Sequence, residues 1–145
     1  MRKIIQSSAV ILYNKEGRFL LQLRDASAKY YPNLWGLFGG HLKTGEKPLE
    51  ALKRELQEEI GYELKNPVFY KSEKFVDNNY TRYGIRHFFI EEADETLQVI
   101  QPNEGQKMEW FKLSEIASLS TVPYFIRLFD LLSSILSKDL DPKSI

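Results

Sequence analysis

Residues 40–62 read GHLKTGEKPLEALKRELQEEIGY, and they pass from a glycine loop through a turn into a helix that stops at a second glycine. Lys43-Thr44-Gly45-Glu46 supplies the turn, Pro48 suits a first helical turn, and Gly61 suits a C-terminal stop. These signals predict a helix from about Lys47 to Ile60. On a helical wheel at roughly 100° per residue, Leu49, Leu52, Leu56 and Ile60 fall within about an 80° arc, the buried stripe of an amphipathic helix. Glu55, Glu58 and Glu59 fall on the neighbouring sector, because positions i, i+3 and i+4 share a face. Glu50, Lys53, Arg54 and Gln57 take the remaining arc, where solvent is expected.

Three glutamates on one face have a plain reading, a solvated acidic surface softened by Lys53 and Arg54. Two physical costs stand against it. Like-charged pairs at i,i+3 and i,i+4 lose a few tenths of a kcal/mol each unless a cation neutralises them. The same residues also occupy the last turns of the helix, where the dipole disfavours negative charge. Upstream lie Gly39-Gly40 and Gly45-Glu46, a loop whose backbone can approach a ligand closely. A carboxylate cluster beside such a loop suits a hard divalent cation with oxygen ligands. Magnesium would complete its shell with water and substrate phosphate oxygens.

Composition agrees with oxygen-based chemistry. The chain has 145 residues, 43% hydrophobic and 28% charged, about one domain's worth with enough apolar residues for a core. Lys+Arg and Asp+Glu both total 20, so no basic field favours nucleic acid or an anionic membrane, and neither partner is expected. No apolar run approaches the roughly 18 residues needed to span a bilayer. The short apolar run of MRKIIQSSAVILY, broken by Gln6, Ser7 and Ser8, reads as a first strand rather than a secretory signal, so a cytoplasmic location is expected. The absence of cysteine excludes disulfides, a thiol nucleophile and cysteine-ligated zinc, and two histidines, His41 and His87, are too few for the usual histidine-rich zinc site.

Elsewhere, Ile4–Tyr13 and Arg18–Arg24 read as a hairpin across the turn at residues 14–17, and Trp35–Phe38 reads as a short strand. Val68–Val76 and Arg82–Glu91 read as longer strands joined by the turn at Asp77–Tyr80. Met108–Leu113 is a short strand, Ser114–Leu119 a brief helix, and Val122–Lys138 an amphipathic helix. That order predicts a mixed sheet with helices on it, an α/β or α+β single domain.

The 40–62 stretch resembles the Nudix (MutT-like) hydrolase signature, G-x5-E-x7-R-E-U-x-E-E-x-G-U, where U is a bulky apolar residue. Gly40, Glu46, Arg54, Glu55, Leu56, Glu58, Glu59 and Gly61 fill its specified positions, and Tyr62 departs from it at the last U. The likeness continues in LLQLRD (20–25), WGLFGG (35–40) and EGQKMEWFKLSEI (104–116), with Phe38 where many members carry proline. The resemblance implies one domain over residues 1–145, an α/β/α sandwich with a mixed sheet. It also implies hydrolysis of a pyrophosphate bond in a small-molecule nucleotide derivative, with Mg²⁺ or Mn²⁺.

By position, the resemblance makes Glu58 and Glu59 metal ligands, Glu55 a ligand or the general base, and the Gly39 carbonyl a further ligand. Arg54 and Glu46 would hold the glutamates in place. Glu104 matches a downstream acid that completes the metal site or acts as base, so the base is either Glu55 or Glu104. Substrate contacts are expected from Arg24, Gly40 and His41, with Lys43 another possible phosphate contact. For Arg24, His41 and Lys43 the alternative is ordinary surface charge. Tyr30, Tyr31, Phe75, Tyr83 and Trp110 are candidates to stack on a base, with core filling as the alternative. Tyr80 lies where dinucleoside polyphosphate hydrolases of the family often carry a tyrosine, and His87 reads as a structural residue.

Among substrates, nucleoside triphosphates, including oxidised dNTPs, are favoured, with ADP-ribose, nucleotide sugars and dinucleoside polyphosphates open. The competing reading is a non-catalytic nucleotide-sensing module. An isopentenyl-diphosphate isomerase-like activity is disfavoured, because that chemistry uses a cysteine. Either a monomer or a homodimer is compatible, the 122–138 helix being a possible dimer surface.

Overall fold

The computed structural model describes residues 4–77, 79–93, 97 and 107–137. Its elements are β1 (Ile4–Tyr13), β2 (Phe19–Leu23), β3 (Trp35–Gly36), β4 (Phe38–His41), α1 (Pro48–Ile60), β5 (Val68–Asp77), β6 (Arg82–Glu92), β7 (Lys107–Phe111), α2 (Leu113–Ile116), a 3-10 helix (Pro123–Leu128) and α3 (Phe129–Ser137). Strands interspersed with helices make this an α/β fold. The chain divides into two compact units, Met1–Ile11 with Phe38–Glu91 and Leu12–Leu37 with Glu92–Ile145. Strand β1 contributes to both.

In the first unit, β1 pairs antiparallel with β4, from Ser7 opposite His41 to Val10 opposite Phe38. On its other side β1 neighbours β6, which pairs antiparallel with β5 from Val68–Ile90 to Asp77–Arg82. Alternating exposure over Ile4–Ser7 gives way to continuous burial from Ser8 to Leu12, as expected where a strand passes from one covered face to two. Helix α1 packs on β4 and buries Ala51, Leu52 and Leu56 completely. Gly84 of β6 is required where it stands: a Cβ there would run into the Ile5 carbonyl of β1. Histidine 87 sits between strands, with Nδ1 2.6 Å from Ser72 Oγ and Nε2 2.9 Å from Gln6 Oε1, and burial lowers its pKa. The ring thus joins β5, β6 and β1, a structural role.

In the second unit, β2 (FLLQL) pairs along its whole length with β7 and, at Gln22 and Leu23, with β3. Phe19 to Gln22 are all buried, so both faces of this strand are covered, which is why it does not alternate apolar with polar residues. The end of β1 joins it through Tyr13 opposite Phe19. Phe125, Leu128, Leu132 and Ile135 are buried, and Trp35 packs edge-on against Phe111 with ring centroids 4.8 Å apart. The strand directions are mixed: among the described residues a parallel bridge joins Trp35 to Thr121, and β1 advances in the same direction as β6, with Ile5 against Gly84 and the Tyr13 carbonyl accepting the Ala93 N–H at 2.7 Å.

Three sequence expectations are corrected. The single strand Trp35–Phe38 is broken at Leu37, because β3 pairs with β2 whereas β4 pairs with β1. At the break, side chains replace the ladder: Leu37 N–H donates to Tyr124 Oη at 3.0 Å, and Leu37 O accepts from Gln22 Nε2 at 3.1 Å. The helix expected at 122–138 begins as a 3-10 helix at Pro123 and becomes α-helical only at Phe129, its final Lys138 lying outside the described residues. Strand β7 ends at Phe111 rather than Leu113, since Lys112 caps α2 by donating its N–H to Glu115 Oε1 at 2.8 Å. Among the described residues no helix is long and apolar enough to cross a membrane.

Replacing Gly84 with alanine forces β1 and β6 apart against backbone atoms that cannot rotate away. The expected cost is about 1–3 kcal/mol, the scale of overpacking a close-packed interior, read as a lower urea midpoint with an unchanged slope.

Candidate active site

Helix α1 begins beside β1 and β4. Lys47 is its N-cap, Pro48 its first residue, and Glu50 Oε1 accepts the Lys47 N–H at 2.9 Å. Ser8 of β1, 2% exposed, donates from Oγ to the Pro48 carbonyl at 2.8 Å and so ties the start of the helix to the strand. At the other end Gly61 adopts a left-handed conformation, φ 65°, with its N–H turned back onto the Gln57 and Leu56 carbonyls. The last turn carries no basic residue, so the helix dipole works against Glu58 and Glu59 there.

Arginine 54 organises the centre. Its Nε donates to Glu46 Oε2 at 2.8 Å and its Nη2 to Glu46 Oε1 at 2.9 Å, a two-pronged pairing. The same Nη2 reaches the His41 carbonyl at 3.0 Å. Nη1 donates to Glu55 Oε1 at 2.9 Å and more loosely to Glu58 Oε2 at 3.4 Å. The wheel placed Arg54 toward solvent; its side chain is instead only 20% exposed and turned back over the loop. A long flexible stem permits that turn, and three carboxylates in reach drive it.

Glutamate 46 completes the loop by accepting the Lys43 N–H on Oε1 at 2.6 Å. The Arg54 hydrogen bonds, followed by the Lys43 N–H, hold its pKa down to about 2 from an ordinary 4.5. Arg54 is correspondingly more basic than usual, chiefly through Glu46 and then through Glu55.

The glycines set how near the carboxylates come to the β4 backbone. A Cβ at Gly40 would overlap the Glu55 carboxyl carbon and lie 2.6 Å from Oε1, so the Glu55 carboxylate rests directly on Gly40. At Gly39, φ is 153° and a Cβ would strike the Ser8 carbonyl. Glu58 is exposed and Glu59 half-buried, with Glu59 Oε2 shielded from solvent. Among the described residues no three carboxylate or imidazole groups already converge as a ready metal cage. The donor set nonetheless fits a hard cation. Every donor is oxygen, and the Gly40 cradle holds Glu55 against the strand. A positively charged Nη1 already lies within reach of Glu55 and Glu58.

Gly39, Gly40, His41, Glu46, Arg54, Glu55, Glu58 and Glu59 thus all belong to the unit built from β1, β4, α1, β5 and β6. Arg24 belongs to the other unit, where its Nε donates to the Tyr30 carbonyl at 2.7 Å. Glu104, with the rest of EGQ, lies outside the described residues. Of the aromatic candidates, Phe75 carries the Arg86 guanidinium 4.4 Å from its ring centroid, and Tyr80 faces Arg82 at 5.7 Å.

Two contributions escaped the sequence. Ser8 looked like an interruption in an apolar strand, although a polar residue there was itself the signal. Tyr62, the departure from the signature, donates its hydroxyl to buried Glu91, 29 positions away, a pairing no local pattern reveals.

The Glu46 shift carries a sign. Its folded pKa lies below the unfolded value, so the stability it confers is complete above about pH 4.5 and is lost as pH falls toward about 2. Glu46→Gln is therefore expected to be less stable than the parent at neutral pH. The difference in urea midpoint should shrink steadily between pH 4.5 and 2; a constant difference across that range would contradict the assignment.

Comparison with known proteins places this geometry. The NUDIX domain family model matches residues 4–130. The 8-oxo-dGTP diphosphatase of Haemophilus influenzae is 36% identical over 109 residues, covering 75% of this chain and 76% of that protein. The m7GpppN-mRNA hydrolase NUDT17 of Xenopus laevis is 45% identical over 56 residues, 39% of this chain and 19% of that longer protein. The isopentenyl-diphosphate Delta-isomerase of Serratia proteamaculans is 27% identical over 116 residues, 78% of this chain and 64% of the isomerase. The chain thus spans less than two thirds of the length of the latter two relatives. Among solved structures, the Escherichia coli ORF135 protein superposes with a TM-score of 0.73 at 26% identity, covering 97% of this chain and 96% of that one. With the family model matched over residues 4–130 of its 145, and the signature glutamates on a helix beside the glycine loop, the chain belongs to the Nudix hydrolase family.

Proposed function

We propose that this protein hydrolyses a pyrophosphate bond in a nucleoside triphosphate or oxidised dNTP, using Mg²⁺ or Mn²⁺ held by Glu55, Glu58, Glu59 and the Gly39 carbonyl. The observation that carries the reading is the seat of Glu55: its carboxylate lies on Gly40, where any side chain would displace it, and is oriented by Arg54 Nη1 at 2.9 Å. A surface acid has no need of such a seat. The triphosphate preference draws on the likeness to the Haemophilus influenzae 8-oxo-dGTP diphosphatase, a relative that aligns over about three quarters of both chains.

The chain's own residues supply position and charge. Arg54 neutralises part of the carboxylate cluster and pins the His41 carbonyl, which keeps the loop after β4 closed onto the helix. Glu46 fixes the guanidinium from the far side and, through Lys43 N–H, fixes the loop as well. A divalent cation bound there would offset charge on phosphoryl oxygens and make a coordinated water more acidic. Glu55 or Glu104 would accept a proton from the attacking water. ADP-ribose, nucleotide sugars and dinucleoside polyphosphates are the other substrate classes. An isomerase activity like that of the Serratia relative is disfavoured, since this chain has no cysteine for it.

The test is a panel of these nucleotides at fixed Mg²⁺, with and without chelator. Turnover should require the metal, and Glu58→Gln and Glu59→Gln should each lose about a hundredfold or more in kcat, the scale of several kcal/mol of lost charge stabilisation. Gly40→Ala should stay folded, because the atoms it displaces end a flexible side chain, yet lose activity comparably. Tight nucleotide binding with no turnover on any substrate would support the sensing module instead.

A further inference from the structure

The metal-ligating face proposed above lies at the least supported end of α1. Glu58 and Glu59 repel each other and Glu55, the dipole opposes them, and the last turn has no basic residue. Isolated helix ends of this kind fray. The segment after this helix is locked instead. Tyr62 is 4% exposed; its N–H reaches the Leu56 carbonyl at 3.4 Å, and its hydroxyl donates to Glu91 Oε2 at 2.7 Å. Glu91, near the end of β6, is 2% exposed, and its Oε1 accepts the Lys65 N–H at 2.8 Å and the Asn66 N–H at 2.7 Å. A buried carboxylate whose two oxygens take three donors is satisfied only while all three groups stay in place.

We infer that the Tyr62–Glu91 pair is a positioning latch that holds the last turn of α1 against β6 and so preorganises Glu58 and Glu59 for the cation before it arrives. The residue that breaks the family's apolar pattern is one half of the device, and the other half is the buried acid at the strand end. An apolar residue at 62 would pack there but could not satisfy Glu91. Without the latch the last turn opens more often, and a cation must bind the ordered fraction alone. Its apparent dissociation constant then rises as the inverse of the fraction that stays ordered. Neither residue is among the proposed metal ligands or substrate contacts.

The inference rests on the metal reading, and the experiment separates the two. Mn²⁺ binding is titrated by its electron paramagnetic resonance signal in the whole protein, in Glu59→Gln, in Tyr62→Phe and in Glu91→Gln, without nucleotide. Amide hydrogen exchange across residues 56–62 is followed in the metal-free proteins. Tyr62→Phe, which removes one oxygen and keeps the ring, should weaken Mn²⁺ binding about 3- to 10-fold, the inverse of the fraction of last turns still ordered. It should also speed exchange at Glu58–Ile60, with protection restored by saturating Mn²⁺. Glu91→Gln keeps an oxygen for the two backbone N–H groups and an amide for the Tyr62 hydroxyl, so it should stay close to the parent. If Tyr62→Phe only lowers the melting temperature, with Mn²⁺ affinity and exchange at Glu58–Ile60 unchanged, the latch is merely structural and the inference is overturned. If the parent binds no Mn²⁺, or Glu59→Gln binds it equally well, the metal reading fails first and takes the inference with it.

Discussion

One guanidinium against several carboxylates is the constraint on which the site depends. Arg54 spends its donors on both oxygens of Glu46, on Glu55, on Glu58 and on the His41 carbonyl. That arrangement joins the loop after β4 to the helix and fixes the spacing of the acids. It cannot make the region neutral, because one positive charge faces Glu46, Glu55 and Glu58, with Glu59 one residue further on. The remaining negative charge is what the proposed divalent cation would offset, while the fork stops the acids from scattering. A lysine could supply the charge but not the planar two-pronged geometry that holds Glu46 and still leaves Nη1 for Glu55.

Glycine does the complementary work on the strand side. β4 is short, and its two glycines bring bare backbone against both neighbours: Gly39 faces the Ser8 carbonyl and Gly40 faces the Glu55 carboxyl group. The strand can therefore lie between β1 and α1 with no side chain on those two residues to separate them. Ser8 strengthens the same junction from below by holding the Pro48 carbonyl. Both ends of α1 are thus tied to strands of its own unit, the start to β1 and the residue after its C-cap to β6.

Much of the local architecture was legible because it is governed by nearest neighbours along the chain. The limits of β1, β5 and α1 follow from β-branched runs, Pro48 and Gly61, whose effects act within a turn or two. The sharing of a face by Glu55, Glu58 and Glu59 follows from helix geometry alone. The break at Leu37 was not legible, since it depends on two strands choosing different partners. Nor was the 3-10 opening at Pro123, where helical periodicity cannot say which hydrogen-bond spacing packing will select. Arg54 shows the limit most clearly: its place on the wheel pointed to solvent, and only the loop folding back with Glu46 and the His41 carbonyl drew it inward.

The sequence by itself determined the chemistry on offer: oxygen donors without cysteine, three acids in register on one helix, and a glycine loop at a set distance ahead of them. Those features depend on composition and on spacing within a continuous segment, which the chain carries wherever it folds. The tertiary structure decided which atoms meet: Glu55 on Gly40, Arg54 on Glu46, and Tyr62 on Glu91 across 29 positions. Such contacts arise from strand pairing and from the need to satisfy each buried polar group, and both are properties of the assembled fold rather than of any stretch of it.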